Sequence, residues 1–233
     1  MIAENFARVR AQIADAAARC GRRAEEVTLI AVSKTHGPEA VREAIAAGQL
    51  LFGENRVQEG RAKALLLPGA LRWHLIGHLQ SNKIRQALGV FERIQSIDTV
   101  ELARDVNRVA GEMGLSPKVL LEVNVAGEGS KFGFRPEALR ASMEEILCLD
   151  RVAVDGLMTI PPYAPEPEDS RRYFAALREL RDRLSGEFGV PLPELSMGMS
   201  GDFPVAIGEG ATLVRVGTAL FGERQGKTWK PGE

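Results

Sequence analysis

Eight short apolar runs, rich in β-branched residues, recur along this chain, and segments with helical spacing lie between them. The runs cover 27–32, 50–53, 72–76, 94–97, 118–125, 154–159, 194–199 and 212–216. Strands separated by helices pair in parallel, because each helical crossover returns the chain to start the next strand in the same direction. Crossovers of this kind are right-handed, and eight such units can close into a barrel. The rival, an open doubly wound sheet, normally carries its glycine-rich turn after the first strand, where this chain has Lys34. The expected class is α/β: a single (β/α)8 TIM-type barrel domain over 1–233, with an extra N-terminal helix over 1–21 and a polar tail over 225–233. The length of 233 residues suits one such barrel.

Helix signals fall where this architecture needs them. Phe6, Val9, Ile13, Ala16 and Cys20 share one helical face, and Gly21 can supply the left-handed stop. Pro38 opens a helix that runs to Gly48. Asp98 is placed to cap another, with Glu101 three residues on as its reciprocal partner. Pro136 occupies a first-turn position ahead of Leu139, Met143 and Ile146, and Tyr173, Leu177, Leu180 and Leu184 form a stripe on a late helix. The proline-rich stretch 161–167 reads as a loop between barrel units.

Composition removes several functional classes. A formal net charge of -1 gives no electrostatic case for a nucleic-acid or anionic-membrane partner. No apolar run reaches transmembrane length, and residues 1–6 lack the basic start and apolar core of a signal peptide, so a cytoplasmic protein is expected. Cys20 and Cys148 are expected as small buried residues in a reducing compartment.

In parallel barrels the chemistry comes from the C-terminal ends of the strands, and phosphate commonly binds in the loops after the seventh and eighth. Lys34 leaves the first strand there, with its stem desolvated, which favours the neutral, nucleophilic amine. Most strand-end lysines are solvated caps, so the far end of the chain matters more. Ser196-Met197-Gly198-Met199-Ser200-Gly201-Asp202 and Val214-Arg215-Val216-Gly217-Thr218 follow or end strands seven and eight. Gly198, Gly201 and Gly217 permit close approach of backbone amides to an anion, Ser200 and Thr218 add hydroxyls, and a short helix from Asp202 turns its amino end toward the same point. A lysine with a phosphate cradle is equipment for holding pyridoxal phosphate. Arg215, facing inward, can keep a pyridine nitrogen unprotonated; a pairing with an internal carboxylate such as Glu122 is the alternative. His74 alternates with apolar neighbours, as a hydrogen-bonded interior residue does, and His78 lies nearer the mouth. Neither has the partners for a metal site. Met158 at the end of strand six reads as packing.

At these residues the chain resembles the pyridoxal phosphate homeostasis protein family, single-domain relatives of the alanine racemase barrel. The matching stretches include Ala31-Val32-Ser33-Lys34, Phe52-Gly53-Glu54-Asn55, the run from His74 to Lys83, Gly156-Leu157-Met158-Thr159-Ile160 and the two segments above, extended to Gly222. The resemblance implies Lys34 as Schiff-base lysine, Ser200, Gly201, Gly217 and Thr218 at the phosphate, Arg215 at the ring nitrogen, and Asn55, His74 and Met158 around the ring. It also implies a monomer that buffers intracellular pyridoxal 5'-phosphate, or delivers it to apo-enzymes, without catalytic residues. The competing class is a pyridoxal phosphate-dependent amino-acid racemase or lyase on the same barrel. Racemases of this type take a tyrosine acid/base from a second domain, whereas this chain ends just after its eighth strand and places Tyr163 and Tyr173 in and beside a barrel loop.

Overall fold

A computed structural model describes residues 1–129, 131–222 and 229. Eight strands close into a parallel barrel in sequence order: β1 (Thr28–Val32), β2 (Leu51–Glu54), β3 (Arg72–Leu75), β4 (Arg93–Ile97), β5 (Lys118–Glu122), β6 (Ala153–Met158), β7 (Glu194–Ser196) and β8 (Leu213–Val216). The barrel closes where β1 pairs with β8, with Ile30 opposite Arg215. Around it lie α1 (Ile2–Arg19), α2 (Pro38–Ala46), α3 (Val57–Leu66), α4 (Ile84–Leu88), α5 (Val100–Met113), α6 (Pro136–Leu147), α7 (Arg171–Phe188), α8 (Phe203–Gly208) and α9 (Thr218–Phe221). Among the described residues, no helix is long and apolar enough to cross a membrane.

The extra helix α1 buries Phe6, Val9 and Ile13 and braces the last two units of the barrel. Each such side chain contributes about 1.5–3 kcal/mol on burial. Its Asn5 Nδ2 donates to the Leu220 carbonyl of α9 at 3.0 Å, and Phe6 meets Phe221 edge to face at 6.0 Å. Beyond the helix, Gly21 has φ +71° and Arg22 donates to the carbonyls of Ile207 and Ala211 at 3.1 and 2.9 Å. The N-terminal segment thus holds α8 and α9, the short helices beside the candidate phosphate loops.

The barrel interior is layered. Near its N-terminal end, Arg93 pairs with Glu194 at 2.9 Å and with Asp155, and Lys118 approaches Asp155 at 3.5 Å. An apolar plug of Ile30, Leu51, Leu120, Met158 and Leu213 fills the centre. A polar layer of His74, Gln95, Ser196 and Arg215 follows toward the C-terminal mouth.

Three local expectations need correction. Thr99, not Asp98, caps α5, accepting from the Leu102 amide at 3.1 Å, while Asp98 is bonded to His78 Nδ1 at 2.8 Å. Phe174 rather than Tyr173 joins Leu177, Leu180 and Leu184 on the buried face of α7. Cys20 and Cys148 are exposed, because each sits at a helix C-cap, past the last buried residue of its helix, Ala17 and Ile146. The tail expected over 225–233 lies outside the described residues except for Trp229, which is docked: its amide donates to the Thr35 carbonyl at 3.0 Å.

Candidate functional site

At the C-terminal mouth a cavity of about 250 Å³ is lined by Lys34, Asn55, Ser200, Gly201, Arg215, Gly217 and Thr218. Seven of the nine expected site residues therefore share one wall. Strand exits from β1, β2, β7 and β8 bring them together, and Asn55 follows β2 directly.

Ser200 ties the two candidate phosphate turns to each other. Its Oγ accepts from the amides of Gly217 and Ala219, both at 3.2 Å. The first turn is tightened by Asp202, whose Oδ1 accepts from the Met199 amide at 2.6 Å. The three glycines do different jobs. At Gly201 an added Cβ would meet nothing within 4 Å, as suits backbone open to a ligand, and at Gly217 it would stand 3.3 Å from the Val32 carbonyl oxygen. Gly198 serves packing instead of anion contact: with φ +91°, its Cβ would lie 2.6 Å from the Ala206 Cβ on α8.

Arg215 is buried and donates to the Ser196 hydroxyl at 2.6 Å and the Thr159 carbonyl at 2.8 Å. Among the described residues it forms no ion pair within 4.0 Å, so the pairing with Glu122 does not occur. Burial lowers its pKa to about 10, still far enough above neutrality to keep the guanidinium charged. Glu122 is pushed up to about 7 by its own burial and by Asp98, against the pull of Arg215.

His74 and Met158 do not line the cavity. Ile76 and Ile160, two residues further along each chain segment and so on the same inward side, take the wall positions. Met158 belongs to the apolar plug. His74 lies in the polar layer, its Nδ1 2.8 Å from the Gln95 amide nitrogen, and the Gln95 carbonyl oxygen accepts from Ser196 at 2.6 Å. This order makes Gln95 the donor to His74 and leaves the imidazole proton on Nε2. Burial, reinforced by Arg93, lowers the His74 pKa to about 3, so the ring is neutral in ordinary buffers. His78 stands at the mouth, stacked on Phe132 with 4.0 Å between ring centroids.

Two features lie outside the sequence reading. His36 lines the cavity and packs against Phe221 at 5.1 Å; its position two residues after Lys34, in the same turn, is the signal that points to it. The second is a buried ionic cluster behind Lys34. Lys63 of α3 is fully buried and donates to Glu54 at 2.7 Å, Glu59 at 2.8 Å and the Ser33 carbonyl at 2.7 Å. Desolvation raises the Glu54 carboxyl to about 7, with Lys63 opposing that shift.

The family model for the alanine racemase N-terminal domain matches residues 5–225. A pyridoxal phosphate homeostasis protein from Aquifex aeolicus is 49% identical over 223 residues, spanning 95% of this chain and 98% of that relative. The chain belongs to the pyridoxal phosphate homeostasis protein family. A second member, from Pseudomonas aeruginosa, is 47% identical over 225 residues, with 96% of each chain covered. The barrel of this family member is similar to PipY of Synechococcus elongatus PCC7942, solved with PLP bound: TM-score 0.85 at 44% identity, over 95% of this chain and 100% of that one. The family resemblance and the closed barrel expected from the sequence are both borne out.

Proposed function

We propose that this chain binds pyridoxal 5'-phosphate reversibly at the mouth of its barrel and serves as a monomeric cytoplasmic carrier, buffering the cofactor or delivering it to apo-enzymes. The observation that carries the reading is one cavity wall holding Lys34, the buried cation Arg215 and the Ser200-braced double turn. A further fit comes from Asn55, whose Oδ1 is buried without a partner among the described residues and belongs to a side chain on that wall. Such an atom is satisfied by a donor on a ligand.

In this reading Ser200, Gly201, Gly217 and Thr218 hold the phosphate, Arg215 faces the ring nitrogen, and Asn55 meets the ring substituents. When bound, the cofactor supplies an aldehyde for covalent capture and a ring able to accept electrons. Lys34 would supply the amine for that capture, with the aldehyde oxygen lost as water. Arg215, a cation at that nitrogen, keeps the nitrogen free of a proton and so weakens the ring as an electron sink. His74, in the polar layer, and Met158, in the apolar plug, support the wall from below.

A non-catalytic role is favoured over a racemase or lyase by the position of the tyrosines. Tyr163 and Tyr173 border a separate groove with Arg171 and Glu209, away from Lys34. Two-base proton transfer needs a second group facing the lysine, and His36 comes from the same turn as Lys34. The relatives named homeostasis proteins support the same reading.

Borohydride reduction of protein incubated with pyridoxal phosphate, followed by peptide mapping, tests the assignment. The label is expected on Lys34 and absent from Lys34→Ala, with the melting temperature of the variant within about 4 °C of the parent, a change of under about 1 kcal/mol. A label on Lys83 or Lys131 instead would overturn it.

A further inference from the structure

The turn that carries Lys34 is gripped on both sides by the cluster behind it. Ser33 Oγ donates to Glu54 at 2.6 Å, and the Ser33 carbonyl accepts from Lys63 at 2.7 Å. On the other side the Thr35 amide donates to Glu59 at 2.6 Å. Thr35 has φ +71°, a left-handed conformation that a β-branched residue adopts only when its surroundings impose it. Trp229 completes the grip, with its amide on the Thr35 carbonyl at 3.0 Å and its ring 5.4 Å from the Lys63 ammonium.

Stability alone does not account for this arrangement. Lys63 and Glu54 are both wholly removed from solvent, and burying such ions costs more than filling the same space with apolar side chains. Hydrogen bonds from the cluster to neutral groups run to Ser33 and Thr35, the two neighbours of Lys34.

We propose that Lys63, with Glu54 and Glu59, is a positioning device that fixes the left-handed turn at Thr35 and so aims Lys34 for covalent capture of pyridoxal phosphate. The proposal rests on the reading of Lys34 as the capturing amine. It predicts that the cluster governs bond formation at Lys34 and leaves the phosphate turns, on β7 and β8, untouched.

Two probes separate these effects. Pyridoxine 5'-phosphate, an alcohol without the aldehyde, reports on the cavity alone; pyridoxal 5'-phosphate with borohydride reports on capture by Lys34. Lys63→Met removes the centre of the cluster but strands two carboxylates. Glu59→Ala, at its edge, is the gentler companion, and circular dichroism and thermal melts establish that each variant is folded. In Glu59→Ala, pyridoxine phosphate affinity is expected within about threefold of the parent while Lys34 labelling at limiting cofactor falls at least about tenfold. Adding Thr35→Gly, which adopts the left-handed turn without steric cost, is expected to recover labelling by at least about threefold. Equal losses for both probes, undiminished labelling, or a double variant no better than Glu59→Ala would each overturn the proposal. A parent protein that binds pyridoxine phosphate but never labels at Lys34 would overturn the capture reading itself, and the positioning role with it.

Discussion

Arg215 and Ser196 are joined at 2.6 Å in the polar layer under the cavity, and the direction of that bond is fixed by what lies beyond it. Ser196 spends its proton on Gln95, so it accepts from the guanidinium. Ser196→Ala leaves a buried donor of Arg215 unpaired and should cost about 1–3 kcal/mol in urea unfolding. Ser196→Cys, a weaker acceptor, should fall between parent and alanine. A neutral alanine variant would show that the chain from Arg215 to His74 bears no load.

Ser200 and Thr218 yield a second expectation. Removing a hydrogen bond to a charged ligand group costs about 1.5–3 kcal/mol, which is about a tenfold to hundredfold loss of affinity. Ser200→Ala should show the larger loss, because its hydroxyl also braces the Gly217 and Ala219 amides. Equilibrium dialysis against pyridoxal phosphate checks this; unchanged binding in both variants removes the cradle.

Glu122 should make the protein less stable as pH rises. Its carboxyl goes from 4.5 up to about 7 on folding, so the folded state holds the extra proton between those values. Stability is therefore lost progressively as pH climbs through that window. Asp98, just past β4, and Arg215, on β8 across the barrel, are the charged groups acting on it. Glu122→Gln should abolish this contribution, gaining on the order of 1–3 kcal/mol over the parent at about pH 8 and little at about pH 5. Glu54, also raised to about 7, titrates in both proteins and cancels in the comparison. Parallel pH–stability curves for parent and variant would refute the assignment.

Sustained turnover of amino acids should be absent. Loaded protein incubated with L-amino acids in heavy water should show no deuterium at Cα and no loss of chirality at enzyme-like rates, about 1 per second or faster. Chiral chromatography with mass measurement decides it. Fast exchange that disappears in His36→Ala would make that imidazole a proton carrier and promote the racemase reading.

The order of the eight strands was legible because each announces itself by an apolar run and a strand-end change of composition. The cavity wall was legible where motifs sit at strand exits, as at Lys34, Ser200 and Thr218. Depth was harder. A strand advances about 3.3 Å per residue, so a shift of two positions keeps a side chain facing inward yet changes its layer, as His74 and Met158 illustrate against Ile76 and Ile160. The ionic cluster was least legible, since α3 turns Glu59 and Lys63 inward, contrary to the rule that charge marks the solvent face. The contacts with Ser33 and Thr35, thirty and twenty-four positions away, give that face its meaning.

The apolar plug at the centre of the barrel has a consequence for exchange. With Arg93, Asp155 and Glu194 bolted together beneath it, the well is closed at its foot by the described residues and opens at the C-terminal mouth. Traffic through such a well is serial: one occupant must leave before the next arrives, and no second molecule can push it out from behind. Any protein that unloads this chain must therefore meet it at the rim, where the turns after β1, β2, β7 and β8 converge.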